Sequence, residues 1–512
     1  MFRLVLVLLV LTAMPAPAAA QTAVAPKADG DAGYYFLLAR HLENTGKIDE
    51  AIAALQKAIS LESGSAELRA ELAGLYARQN NAVDALNVAD EALKIDPANR
   101  EANRTLGSIY AALSEQKRPI RPGDDPSTYV TRAIAALERA QGPARADLGI
   151  EFTLGRLYAR TSQHEKAIAS LERVFEAQPE YSEGGMLLAA SQEDAGRLDD
   201  AIKTIEGTIQ NNPTFFRAYL KLIDLYEQQK RWKDAAGAYA LARKMNPKAD
   251  LAGGHAAALL NGGDAREAQT VLQAAIASAS TPDPGLLYLL AEAQRQLKDY
   301  TGASATVQKL VTSFPDDLRG HVMAAQLLVA AGRMPEAINA YAELVKRAPG
   351  EASFAYQHAQ LLESAGRIKE AEAVLRELLV RDPQDANAMN SLGYLFADRG
   401  ERLDEAVDLL QRALKIDPGN PSYLDSLGWA FFKQGRLDQA DAPLTEAATK
   451  SPANSVILDH LGDLRFRQQR FADAVRAWER ALAGDGENIN RASVEKKLRD
   501  ARGKSLPLTP AR

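Results

Sequence analysis

Small apolar residues return on a fixed beat along this chain. Ala51, Ala85, Ala133, Ala167, Ala201, Ala235, Ala268, Ala303, Ala337, Ala371, Ala406, Ala440 and Ala474 mark it, and most steps are 34 residues. Each lies early in a stretch such as AIAALQKAI or AIKTIEGTI, where apolar positions recur at helical spacing. A second small-residue column stands about 12 positions earlier in most units: Ala39, Ala73, Gly155, Ala189, Ala257, Ala291, Ala325, Ala359, Gly393, Gly428 and Gly462, with Gly107 further ahead of Ala133 in the unit that carries an insertion. Large side chains fill the complementary slots, as in Leu106 with Tyr110, Leu154 with Tyr158, Leu222 with Tyr226 and Leu427 with Phe431. The pattern predicts two amphipathic helices per unit, A and B, whose backbones approach closely where the side chains are small.

Proline punctuates the same period. Pro179, Pro213, Pro247, Pro315, Pro349, Pro383, Pro418 and Pro452 fall in register, and Pro97 joins them if 14 extra residues are allowed before Pro179. Proline cannot continue a helix, so motifs such as IDPAN, IDPGN and RDPQD end helix B. Gly46, Gly196, Gly332, Gly366 and Gly435 fall at the A-to-B turn, where a left-handed residue is expected. Asp49-Glu50, Asp199-Asp200 and Asp404-Glu405 place carboxylates at the positive end of helix B. A period of this length means stacked supersecondary units, none of which buries its apolar face alone.

The spacing of small residue, small residue and proline, with Leu-Gly-x-x-Tyr variants, resembles the tetratricopeptide repeat family. The resemblance covers about residues 32–488. It implies an all-α, right-handed solenoid of about thirteen helix-turn-helix units closed by a C-terminal capping helix. The capping helix is expected over 488–502, with Ala492, Val494 and Leu498 inward and Lys496, Lys497 and Arg499 outward. Two units are irregular. The third carries the insertion EQKRPIRPGDDPSTY at about 115–129, and the seventh has one residue fewer before Ala268.

The expected organisation is a signal peptide at 1–20, a disordered linker at 21–31, a first block at 32–249, an irregular hinge unit at 250–283, a second block at 284–487, the cap, and a tail at 503–512. Gly253 and Gly254 weaken the hinge unit. Proteolysis is expected first near 278–285 or in the unit-three insertion. The leader reading rests on Arg3, an apolar run from Leu4 to Ala13, Pro15 and Pro17, and Ala18-Ala19-Ala20 before Gln21. It predicts a periplasmic or secreted protein in a bacterium.

Composition narrows the function. The chain is 46% hydrophobic, enough for a continuous core. Its net charge of −6 argues against nucleic acid as a main partner. There is no cysteine, which removes disulfides, thiol catalysis and thiolate metal sites. No H-E-x-x-H, Walker A, G-x-G-x-x-G or G-x-S-x-G motif is present, and the six histidines fall in six different units. Neither an enzyme nor a cofactor or metal site is expected.

The resemblance implies that helix A of each unit lines a binding groove through its positions 2, 5, 9, 12 and 13. Near the C-terminal end these positions supply Asn387, Asn390, Tyr394, Asp398, Asp425, Trp429, Lys433, Asp459 and Asp463. Near the N-terminal end they supply a secondary row, Arg40, Arg78, Arg104, Arg156 and Arg160. Aromatic side chains with polar handles beside carboxylates and amides suit recognition of a peptide. The expectation is a non-enzymatic scaffold that holds cell-envelope proteins or peptides. The last three units also resemble bacterial envelope repeat proteins that serve as adaptors, some of which recruit and activate C-terminal processing proteases; a repeat subunit of an exopolysaccharide export or secretion complex is a second version. A carbohydrate-binding module, with Tyr394 and Trp429 stacking on sugar rings, is the alternative of another class.

Overall fold

A computed structural model of the chain describes residues 31–116, 118–142, 147–281, 283–487 and 489–505. The leader, its cleavage point, nearly all of the linker and residues 506–512 lie outside these. Among the described residues every regular element is helical: 27 α-helices and one 3-10 turn at Pro126–Thr128. The chain divides between Leu251 and Ala252 into two compact units.

The first unit holds six hairpins. They are α1 (Ala32–Asn44) with α2 (Ile48–Leu61), α3 (Ala66–Arg78) with α4 (Ala82–Ile95), and α5 (Arg100–Leu113) with α6 (Tyr129–Ala140). There follow α7 (Leu148–Arg160) with α8 (His164–Ala177), α9 (Ser182–Asp194) with α10 (Leu198–Asn211), and α11 (Phe216–Gln228) with α12 (Trp232–Met245).

The second unit holds seven. They are α13 (Ala252–Asn261) with α14 (Ala265–Ser278), α15 (Pro284–Gln296) with α16 (Tyr300–Ser313), and α17 (Leu318–Ala330) with α18 (Met334–Arg347). Next come α19 (Ala352–Ser364) with α20 (Ile368–Arg381) and α21 (Ala386–Arg399) with α22 (Leu403–Ile416). The last are α23 (Pro421–Lys433) with α24 (Leu437–Lys450) and α25 (Ser455–Arg467) with α26 (Phe471–Ala483), closed by α27 (Arg491–Ser505). In both units each helix A packs on its own helix B and, after the first hairpin of the unit, on the helix B before it.

The alanine beat is the seam of these hairpins. All thirteen alanines of that column are buried, none more than 1% exposed. Where the second column is glycine, a large side chain of helix B occupies the vacant volume, leucine at Gly107, Gly155, Gly393 and Gly428 and Trp478 at Gly462. A Cβ on Gly155 would stand 2.5 Å from Leu171 Cγ, and one on Gly428 2.5 Å from Leu444 Cγ. These contacts are with the branch carbon rather than a mobile tip. Gly428→Ala is therefore expected to cost about 1–3 kcal/mol, read from chemical denaturation of the second unit. A change below a few tenths of a kcal/mol would contradict that packing.

Three details depart from the sequence reading. In the seventh hairpin the buried small residue is Ala256, 0% exposed, while Ala257 is only half-buried. The column thus keeps its spacing of 12 to Ala268 there. The cap runs from Arg491 to Ser505, so 503–505 are helical rather than tail. It buries Val494, Leu498 and Ala501, whereas Ala492 is exposed and Lys497 is half-buried.

The unit-three insertion is tied down. Arg121 donates to Asp90 at 2.7 Å and to the Tyr110 hydroxyl at 2.8 Å, and the Tyr129 hydroxyl donates to Asp124 at 3.2 Å. Those bonds hold it against α4 and α5, so the exposed stretch 278–281 is the more accessible of the two expected cleavage points. The A-to-B turns take positive φ as expected, with Gly46 at 77° and Gly435 at 76°. Where glycine is missing, Asn80, Ser162, Lys230, Lys298 and Gln469 adopt the same conformation. Among the described residues no helix is long and apolar enough to cross a membrane.

Candidate functional site

The C-terminal set of predicted residues lies on α21, α23 and α25, three successive helices A. Asp425 and Asp459 recur at one helical position in consecutive hairpins, one turn before Trp429 and Asp463. A residue on one helix A meets residues about one period later on the next. Asp425 lies 3.0 Å from Nδ1 of His460, with side chains 7% and 8% exposed. Lys497 on α27 donates to Asp459 at 3.0 Å and to Asp463 at 2.8 Å. The network steps from helix to helix and ends on the cap.

Trp429 is part of the same packing. It is 7% exposed, and its ring stacks on His460 at 4.0 Å and on Phe432 at 4.8 Å between centroids. Its indole N–H donates to Asp398 at 3.4 Å. Lys433, exposed, places its ammonium 5.2 Å from the indole centroid. The expectation that Trp429 and Asp425 present themselves to a partner is corrected by these contacts: both are interior groups holding α21, α23 and α25 in register. The physical reason is the flat imidazole of His460, which covers the indole and meets the carboxylate with its edge.

The remaining members divide. Asn387, exposed at the start of α21, accepts from the Tyr423 hydroxyl at 2.6 Å. Asn390 is half-buried, and its buried side-chain oxygen has no hydrogen-bond partner among the described residues. Tyr394 is half-buried with its ring 6.4 Å from that of His460. Burial pushes its phenol well up, and the charges of Asp398, Asp425 and Glu363 add to the effect. Burial also raises the Asp463 carboxyl, although Lys497 opposes this.

The secondary arginine row faces acids from neighbouring helices. Arg40 reaches Glu71 at 3.5 Å, Arg78 reaches Glu43 at 2.7 Å, Arg104 reaches Asp147 at 3.5 Å and Arg156 reaches Glu115 at 3.0 Å. Arg160 donates to the Ser114 hydroxyl at 2.9 Å. These side chains are partnered across hairpins and do not form an uncompensated basic stripe. Exposed pairs of this kind contribute about 0–1 kcal/mol each.

Sequence reasoning missed His460, Lys497, Phe432 and Glu363. The signal for the first two was spacing: His460 follows Asp425 by 35 residues, and Lys497 follows Asp463 by 34. Side chains of opposite charge one period apart on one face meet.

An open site does occur on helices A of the second unit. A cavity of about 420 Å³ lies between α17 and α19, lined by Val322, Gln326, Val329, Ser353, Phe354 and Gln357 with Tyr341 of α18. Val322, Gln326 and Val329 are positions 5, 9 and 12 of their hairpin. Val329 remains 39% exposed, whereas Tyr341 is 5% exposed. The walls combine apolar surface with amide and hydroxyl groups able to bond a peptide backbone. Among the described residues no group of side chains could hold a metal ion.

A family model described as tetratricopeptide repeat matches residues 152–214, 186–250, 254–318, 322–384 and 356–421, and a second of the same description matches 44–109. The chain is 24% identical over 226 residues to the peroxisomal targeting signal receptor of Saccharomyces cerevisiae, covering 38% of this chain and 37% of the receptor. It is 25% identical over 200 residues to the receptor of that name from Eremothecium gossypii, covering 35% of each. It thus spans little more than a third of the length of these relatives. Similar solved structures include the Cut9–Hcn1 hetero-tetramer of APC/C, at 14% identity and TM-score 0.37, covering 92% of this chain and 96% of that one. Naa15/Naa10 bound to HypK-THB is similar at 16% identity and TM-score 0.38, covering 93% and 92%.

Proposed function

We propose that this chain, which belongs to the tetratricopeptide repeat family, is a non-catalytic periplasmic scaffold that holds envelope proteins on the helix-A face of its second unit. One observation carries the reading: the half-apolar cavity between α17 and α19 opens at Val322, Gln326 and Val329, positions that the family resemblance implies line a binding groove. Such a groove favours an extended peptide, whose backbone bonds the amides while alternate side chains enter the apolar floor. The yeast relatives are named receptors for a targeting signal, and a segment of another protein as ligand is in keeping with that. The carbohydrate alternative loses its main platform, since Trp429 is stacked inside the helix layers.

The periplasmic part rests on the leader pattern, and it predicts that the exported protein begins at Gln21 on N-terminal sequencing. The test of the scaffold is affinity capture from envelope extract. The full chain should retain a defined set of proteins, and Val329→Asp with Phe354→Asp should lose it. Val380→Asp with Ile416→Asp, at exposed ends of helices B, should keep it. Equal capture by all three proteins would reject the helix-A face as the binding surface.

A further inference from the structure

We propose that the C-terminal end of the second unit, formed by α27 and the adjoining end of α25, docks on an anionic membrane surface. This surface is separate from the α17–α19 groove and does not depend on it.

Charge is spread unevenly along the chain. The whole carries a net −6, yet between Arg491 and Arg512 seven lysines and arginines stand against two carboxylates. Such an excess on one segment of an acidic protein suits an anionic partner. α27 sorts its charges by face. On the inner side Lys497 bonds Asp459 at 3.0 Å and Asp463 at 2.8 Å, and Arg502 meets Glu479 at 2.7 Å. Lys496 and Arg499 lie on the other side, exposed, opposite the buried Val494, Leu498 and Ala501. Neither is ion-paired among the described residues. Asp500 is the one carboxylate of α27 outside an ion pair among the described residues, since Glu495 pairs with Arg491.

Lys504 and Arg467 extend the row. The Lys504 ammonium lies 4.6 Å from the Phe466 ring centroid and 5.7 Å from that of Phe471. The Arg467 guanidinium lies 5.6 Å from the Phe432 centroid. Neither cation is ion-paired among the described residues. The repeat explains Arg467. Arg78, also the last residue of its helix A, bonds Glu43 of the preceding hairpin at 2.7 Å. The equivalent place before Arg467 is held by Phe432, which offers a ring and no charge.

A flat anionic surface fits this arrangement. No described helix follows α27, so the side bearing Lys496 and Arg499 stays uncovered. Residues 506–512, next in sequence after this row, add two leucines and an arginine and no carboxylate. Cations beside apolar residues suit the headgroup region of a bilayer. Each lysine or arginine near an anionic bilayer strengthens binding by about fivefold. Nucleic acid fits less well, because Phe466 and Phe471 lie beneath Lys504 and are not open to stack on bases.

The test is flotation of the full chain with phosphatidylcholine vesicles, with and without phosphatidylglycerol. Binding to the anionic vesicles should exceed binding to the neutral ones, and rising salt should reduce it. Lys496→Gln, Arg499→Gln and Lys504→Gln combined should weaken anionic binding by more than about tenfold. Lys496→Gln with Arg499→Gln, at side chains that hold no neighbour, should already weaken it. Lys57→Gln, Lys94→Gln and Lys309→Gln combined make the same change in net charge at exposed sites elsewhere, and should leave binding unchanged. Every protein compared carries the same leader, so its contribution cancels, and superimposable thermal melts would show that the fold is kept. Equal binding to neutral and anionic vesicles, or equal loss in both triple variants, would overturn the proposal. So would retention on polyglutamate without vesicle binding, which would assign this end to an acidic protein.

Discussion

Trp429→Ala is expected to destabilise the second unit by about 3–5 kcal/mol, the usual cost of deleting a buried tryptophan. The indole is 7% exposed and stacks on His460 and Phe432, so truncation removes a contact between α23 and α25 along with the apolar area. Its N–H bond to Asp398, which ties α23 to α21, goes too. The loss should appear in urea titrations as a lower midpoint for the second unit, with the first unit unaffected. A change under 1 kcal/mol would mean that the ring is not packed as described. Because this variant acts through stability, it is a poor probe of partner binding.

Asp425→Ala should be comparably damaging, and its effect should depend on pH. Removing one member of a buried pair leaves the other without its counter-charge, at about 3–5 kcal/mol. Burial alone would lower the pKa of His460. The charge and hydrogen bond of Asp425, with Asp459 and Asp463 nearby, outweigh burial and raise it. A raised imidazole contributes stability that is complete below the unfolded pKa of about 6.5 and lost as pH climbs through the higher folded value. The original protein should therefore lose Tm from about pH 6.5 upward, and the gap to Asp425→Ala should narrow over that range. His460→Phe should abolish this slope. A slope that persists in His460→Phe, or a gap that widens with pH, would contradict the pairing.

The arrangement of helices was legible because each unit repeats one steric rule. An alanine that recurs every 34 residues has to meet the same neighbour each time, and all thirteen are sealed between helices. Irregular spots were read less well: the seventh unit keeps its column through Ala256, one position from the residue chosen on sequence. The site was only half legible. Periodicity shows which face of helix A a residue occupies, and it put Tyr394, Asp398, Asp425 and Trp429 on one face. It does not show how deeply that face is covered. Coverage is decided by the next helix, and there His460 and Lys497 are long enough to reach back.

The groove assignment is tested most directly by photo-crosslinking. A benzophenone side chain would be placed singly at Val322, Val329, Val380 and Ile416, and each protein irradiated with its captured partner. Covalent adducts should form from Val322 and Val329, at the cavity between α17 and α19. Adducts confined to Val380 and Ile416, on the ends of α20 and α22, would place the ligand on the opposite class of helix and contradict the account.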